Sequence, residues 1–454
     1  MIQTPLNVLE NKIIPFPVKE PEFPISSEIR KQAQALDSVS RYKSEFDYSI
    51  YEGLERRYAD RKIHGGLLFK SPFRLPNAHP TCQQCLYTFE IDTYGRGCIH
   101  DCAYCYAKAE LTVHGMWNNP MPMPADVNTI RKTFYTVFET DRKSKWRSAM
   151  DRKIPLRIGS MSDSFMFMDK KYKITQELLK ILSFYDYPYI IFTHSDLVAT
   201  DEYMKLLRPD LCSVQMSISS INDDLNRKIE PGAPTAARRL LGLKKLSDAG
   251  FWTTVRVNPL FPTHPDGYFS NPEFKWNGEV PTFDYSTLDL VDAVSEHNVP
   301  AILVGFARLS SLSLNSMERV LGMSLRPFFD KEKVCKSPRD WHYSDKEIHH
   351  YYNKWKFRCI EKKVQFTTCY IGNGESHFWN FQDKWSNKAD CCNVKNRVPA
   401  FKNDAREIPF SDRLKHMAGK GYEPTSTRLH EPLGVGTSIE SVEQERQGEI
   451  SPQL

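Results

Sequence analysis

The sequence predicts an α/β protein whose core is a partial (β/α)6 TIM-type barrel, six parallel strands joined by helices and open on one side, with extensions at both ends. Three observations predict it. Short β-rich runs alternate with amphipathic segments at helical spacing through the middle of the chain. The stretches between runs are long enough for helical crossovers, which keep neighbouring strands parallel. A cysteine-dense loop follows the first run, at the strand end where barrels of this kind gather their chemistry.

The first strand is LYTFEI (86–91), which feeds the cysteine loop, and the second is IPLRIGS (154–160). An amphipathic helix, KITQELLKILSFY (173–185), leads to PYIIFTH (188–194) and then to LCSVQMSIS (211–219). The helix TAARRLLGLKKLSDAG (235–250) ends at Gly250 as its C-cap, and the strands WTTVRVNPL (252–260) and PAILVGFARL (300–309) complete the six. The predicted divisions are an N-terminal extension (1–85), the barrel (86–329), a Cys/Trp-rich cap (330–412) and a polar tail (413–454). The extension is rich in Pro and charge. The cap carries Trp341, Trp355, Trp379 and Trp385 and is expected to close the open side of the barrel, and the tail, lacking periodicity, is expected to be disordered.

At 454 residues, with 40% hydrophobic and 26% charged residues, the composition is that of an ordinary soluble protein, long enough for one large domain with appended pieces. No run approaches the roughly 18 apolar residues needed to cross a bilayer, so no membrane partner is expected. The net charge of +5 is weak over this length and does not by itself indicate nucleic acid. Nothing resembling a signal peptide precedes residue 30, which predicts a chain kept in the reducing cytoplasm, where disulfides seldom persist.

The densest chemistry lies in GRGCIHDCAYCYAKAE, where Cys98, Cys102 and Cys105 are spaced C-x3-C-x2-C. Three thiolates so close wrap one face of a [4Fe–4S] cube and leave its fourth position open for reaction. Structural zinc sites instead take four ligands as two separated pairs.

This run resembles the signature of the radical S-adenosylmethionine (SAM) superfamily, and AYCYA narrows the resemblance toward its spore photoproduct lyase-like branch. The resemblance implies a (β/α)6 core with a [4Fe–4S] cluster on Cys98, Cys102 and Cys105. It implies that SAM chelates the open iron and is cleaved by one electron to a 5′-deoxyadenosyl radical, which abstracts hydrogen from substrate. An electron donor such as flavodoxin or ferredoxin is implied as well. Tyr104 corresponds to the aromatic near the adenine, although burial beneath the loop would explain it equally. GSMSDSF (Ser160, Ser162, Asp163) and THSD (His194, Ser195, Asp196) resemble segments that border the SAM pocket. As ordinary residues they are helix N-caps, the reading preferred for Asp196.

Ser217 ends the fourth strand, and Glu230–Pro231–Gly232–Ala233–Pro234 resembles the EPGAP segment of the same branch, with the Pro and Gly read as stiffening a turn. Glu230 and Arg239 bind substrate, pair with each other, or are solvated. Arg256 alternates with Val255 and Val257, so it points to one face, where it meets the SAM carboxylate or forms a buried salt bridge with Glu230 or Asp163. The branch's hydrogen-returning cysteine has no counterpart, because residues 106–160 contain no cysteine. Lesion repair by that route is therefore not expected.

A second cysteine set joins Cys82 and Cys85 with Cys369, Cys391 and Cys392, with His377 as a substitute ligand. It suits an auxiliary iron–sulfur cluster or zinc, or it is unligated. Cys212, Cys335 and Cys359 read as packing residues. The stretch 131–153 is basic and interleaved with aromatics, which suits nucleic acid or a solvated helix face. The competing function is therefore a zinc-stabilised nucleic-acid-binding protein without catalysis; for an enzyme, the substrate is open.

Overall fold

The computed structural model describes residues 72–74, 85–117, 122–329, 341–369, 381–387 and 389–402. Its centre is one sheet of eight strands in the order β1-β2-β5-β6-β7-β8-β9-β10. These are β1 (Phe73–Arg74), β2 (Phe89–Ile91), β5 (Leu156–Ile158), β6 (Tyr189–Thr193), β7 (Cys212–Ser217), β8 (Trp252–Leu260), β9 (Ala301–Phe306) and β10 (Gln365–Thr368). A small antiparallel pair, β3 (Tyr94–Gly95) with β4 (Met123–Pro124), stands apart. Within the eight-stranded sheet of the described residues, β1 runs antiparallel to β2 and every other pairing is parallel. Among the described residues the sheet does not close into a barrel.

All six expected strands are present. A seventh parallel strand, β10, comes from the segment expected to form a separate cap. It pairs in register with β9, Phe366 opposite Ile302, and so extends the sheet. The helix Asp345–Glu361 precedes it and buries Trp355, while the Trp385 indole donates to Thr368 Oγ1 at 2.7 Å. Trp341 forms an isolated bridge with Leu309. These tryptophans brace the end of the sheet. Trp379, Cys82, Cys335, His377 and the tail 413–454 lie outside the described residues, as does most of the N-terminal extension.

Alternation along the strands sorts the side chains onto two faces. Phe89, Leu156, Ile191, Val214, Val255 and Ile302 belong to the buried apolar face, against which helices such as Ile174–Phe184 and Ala236–Asp248 pack. The other, concave face is polar: Glu90 pairs with Arg157 and Arg74, Gln215 with Arg256, and Thr367 with the 389–402 segment. That segment crosses the concave face near the strand starts. Its carbonyls at Cys391, Cys392 and Asn393 accept from Thr367, Gln215 and Trp252, each at 2.7 Å. Ala400 N donates to Asp210 O, just before β7, at 2.9 Å.

Candidate metal centre

The cysteine loop leaves β2 and returns into the helix Tyr106–Val113. Asp101 takes the left-handed conformation (φ 48°) between Cys98 and Cys102, which lets the chain double back; Asp tolerates that region better than most residues. Its carboxylate receives Lys108 Nζ at 2.5 Å. Cys105 is the helix N-cap, its sulfur accepting from Lys108 N at 3.4 Å. A thiolate there gains from the positive end of the helix. Burial raises the pKa of all three thiols; Asp163 and Cys105 add to the rise at Cys98, and Glu230, Cys105 and Cys98 add to it at Cys102, while Lys108 and backbone donors work against it at Cys105. Three neighbouring thiols held in this way are a donor set that a multiply charged iron–sulfur core fits, because its charge favours the thiolate forms.

Residues far along the chain brace this loop. Ala103 N donates to Ile229 O at 2.8 Å, and Gly232 N to His100 O at 3.1 Å. His100 Nδ1 answers Gly232 O at 2.9 Å. The approach demands glycine: a Cβ at 232 would stand 2.0 Å from Ile99 O and 2.8 Å from His100 Cα. The EPGAP segment therefore does more than stiffen a turn, because it docks on the cysteine loop.

Asp163 is buried and fully engaged. It accepts from His100 Nε2 (3.0 Å), Thr193 Oγ1 (2.8 Å), His194 N (2.7 Å) and Phe165 N (2.8 Å). Burial works to raise its pKa, but His100, His194 and the backbone donors outweigh that and bring it down to about 2. Burial works to lower that of His100, yet Asp163 and the Gly232 carbonyl raise it, so the two meet as an ion pair. His194 is brought down to about 4, mainly by burial, with His100 and Arg239 adding to it. Ser162 donates to Gly97 O at 2.6 Å, tying the second strand end to the cysteine loop.

Glu230 and Arg239 pair with each other, 2.8 Å apart and both fully buried, which decides among the three readings of the sequence. Arg239 also donates to the Ser217 carbonyl at 2.6 Å. The Tyr104 hydroxyl donates to Glu230 and lies 3.2 Å from His194 Nε2, so this tyrosine is buried under the loop. Arg256 meets neither Glu230, taken by Arg239, nor Asp163, taken by His100. It donates to Gln215 Oε1 at 2.8 Å, and its guanidinium stacks 4.2 Å from the Phe192 ring. Asp196 is not the cap expected of it: Ser195 caps the short helix Asp196–Ala199, and Asp196 pairs with Arg238 at 2.7 Å.

The residues left half-exposed at the strand ends are Cys98, Cys105, Ser160, His194, Arg256 and Asn258. In the basic stretch, Arg147 donates to the carbonyls of Thr136, Val137, Thr140 and Arg142, and Arg131 pairs with Glu177. Those arginines hold the fold together. Among the described residues no helix is long and apolar enough to cross a membrane.

Residues 93–271 match the family model of the radical SAM superfamily. The chain is 25% identical over 169 residues to an uncharacterised protein of Methanocaldococcus jannaschii, a match covering 37% of this chain and 58% of that protein. It is 24% identical over 194 residues to an uncharacterised protein of Mycobacterium tuberculosis, covering 42% and 54%. The chain thus spans little more than half the length of the curated relatives it matches. Among solved structures, a variant of spore photoproduct lyase with dinucleoside spore photoproduct aligns at 14% identity and a TM-score of 0.45, over 72% of this chain and 96% of that one.

Proposed function

We propose that this chain, whose residues 93–271 match the family model of the radical SAM superfamily, is a radical SAM enzyme acting by hydrogen abstraction on a substrate still to be identified. The observation that carries the proposal is the loop of Cys98, Cys102 and Cys105, whose three mutually close thiols sit at the C-terminal end of β2 within the matched region. With a [4Fe–4S] cluster on these thiolates and SAM on its open iron, the pair would supply one-electron cleavage of SAM to a 5′-deoxyadenosyl radical.

The chain's own residues prepare that site. Asp163, His100 and Gly232 fix the loop backbone, and Ser162 anchors its start at Gly97. These act by position. Tyr104, Ser217 and Arg256 border the proposed SAM site. Arg256 is half-exposed and already oriented by Gln215 and Phe192, so it offers its guanidinium to the carboxylate of SAM with little ordering left to do. A one-electron donor such as flavodoxin or ferredoxin belongs to the same reading.

The test is anaerobic reconstitution with iron and sulfide, followed by SAM and a strong reductant. Release of 5′-deoxyadenosine by the wild type, lost in Cys102→Ala, is the expected result. A protein that takes up no cluster, or a Cys102→Ala variant that releases 5′-deoxyadenosine at the wild-type rate, overturns the assignment.

A further inference from the structure

We propose that Cys85, Cys369, Cys391 and Cys392 ligate a second iron–sulfur cluster, set within the concave face of the sheet. The four come from three separate places: Cys85 precedes β2, Cys369 follows β10, and the vicinal pair lies on the segment that crosses the strand starts. Backbone hydrogen bonds hold them there. Cys369 N donates to Val304 O at 2.7 Å, while Thr367 and Gln215 hold the carbonyls of Cys391 and Cys392. The Cys391 thiol is hydrogen-bonded with those of Cys392 and Cys85, and Cys369 lies within the charge influence of the same two. Among the described residues none of the cysteines is in a disulfide.

The surroundings are those of a charged centre. Arg157 acts electrostatically on Cys85, Cys392 and Cys369, and Arg256 acts on Cys369. Four thiolates on a doubly positive core make a dianion, which two guanidiniums offset. A packing cysteine has no such company: for Cys359, buried under the helix Asp345–Glu361, burial is the only influence on its thiol.

Four thiolates without a histidine or carboxylate suit an iron–sulfur core and a zinc ion alike in charge, so the metal count in the test below separates the two. Arg256 also acts on Tyr106, the residue after Cys105, as well as on Cys369. The second set therefore shares the concave face with the Cys98–Cys105 loop.

The test removes the first site. A C98A/C102A/C105A variant, reconstituted without oxygen, is expected to retain about four irons and four sulfides per chain, with visible absorption and an electron paramagnetic resonance signal on reduction. Adding Cys391→Ser and Cys392→Ser should abolish them, while Cys359→Ser should change nothing. Because the serine pair risks misfolding, Cys369→Ser alone is the second variant; it should keep the fold, judged by circular dichroism, yet shift the resonance. An unshifted resonance in Cys369→Ser, an iron-free triple variant, or one zinc per chain overturns the proposal. None of these outcomes depends on whether the first loop cleaves SAM.

Discussion

His100 and Asp163, 63 positions apart in the chain, meet as a buried ion pair, Nε2 to Oδ2 3.0 Å, and this pair sets where the cysteine loop lies. One partner sits within the loop and the other at the end of the second parallel strand. The other imidazole nitrogen holds the Gly232 carbonyl, so one charged ring joins three segments.

The pair gives stability a defined pH window. The Asp163 carboxyl is lowered to about 2, so its contribution of about 2 kcal/mol is present above pH ~3.8 and lost as the pH falls toward 2. The His100 pKa is raised, so its contribution is full below pH ~6.5 and lost as the pH rises through the folded value. Asp163→Asn should therefore cost about 3 kcal/mol in urea unfolding at pH 5 and clearly less at a pH above the raised value of His100, where a neutral ring needs no counter-charge. An equal cost at both pH values would contradict the ion pair.

Gly232→Ala should separate loop geometry from folding. The added methyl must displace Ile99 and His100 backbone atoms, since it would otherwise stand 2.0 Å from a carbonyl oxygen. The expected result is a protein with wild-type far-ultraviolet circular dichroism that retains less than half the wild-type iron at the first site. Iron should be counted in a background carrying Cys391→Ser and Cys392→Ser. Full iron content there would show that the loop tolerates the shift.

Glu230 and Tyr104 lie in one hydrogen-bonded group but should not cost the same when changed. Glu230→Gln leaves Arg239, with no exposed surface, without its counter-charge and should cost about 3–5 kcal/mol. Tyr104→Phe removes one donor while Arg239 still satisfies the carboxylate, and should cost about 1–2 kcal/mol. Chemical denaturation of both variants ranks them; the reverse order would mean that the hydroxyl, not the guanidinium, holds Glu230 in place.

Six of the seven parallel strands were legible because each is an apolar run bounded by turns, as PYIIFTH and PAILVGFARL show. The seventh, QFTT, is four residues long, and half of it is threonine; its place comes from pairing with β9, which no local pattern reports. The loop of Cys98, Cys102 and Cys105 was legible because its spacing is local. Gly232 looked like a turn residue because the atoms that exclude a side chain there belong to Ile99 and His100. Asp196 has the right type and place for a helix cap, but Arg238 lies within reach and Ser195 takes the capping role, a contest decided by packing.

The 132 positions between His100 and Gly232 are also an interval of time. At about 5–20 residues per second of synthesis, the three cysteines wait on the order of ten seconds before the segment that braces their loop exists, and Cys85 waits longer for Cys391. Metal delivered to the nascent chain would meet loose thiols; metal delivered afterwards would meet a formed receptacle. Iron loading should accordingly be a maturation step that follows folding, performed on a finished apoprotein.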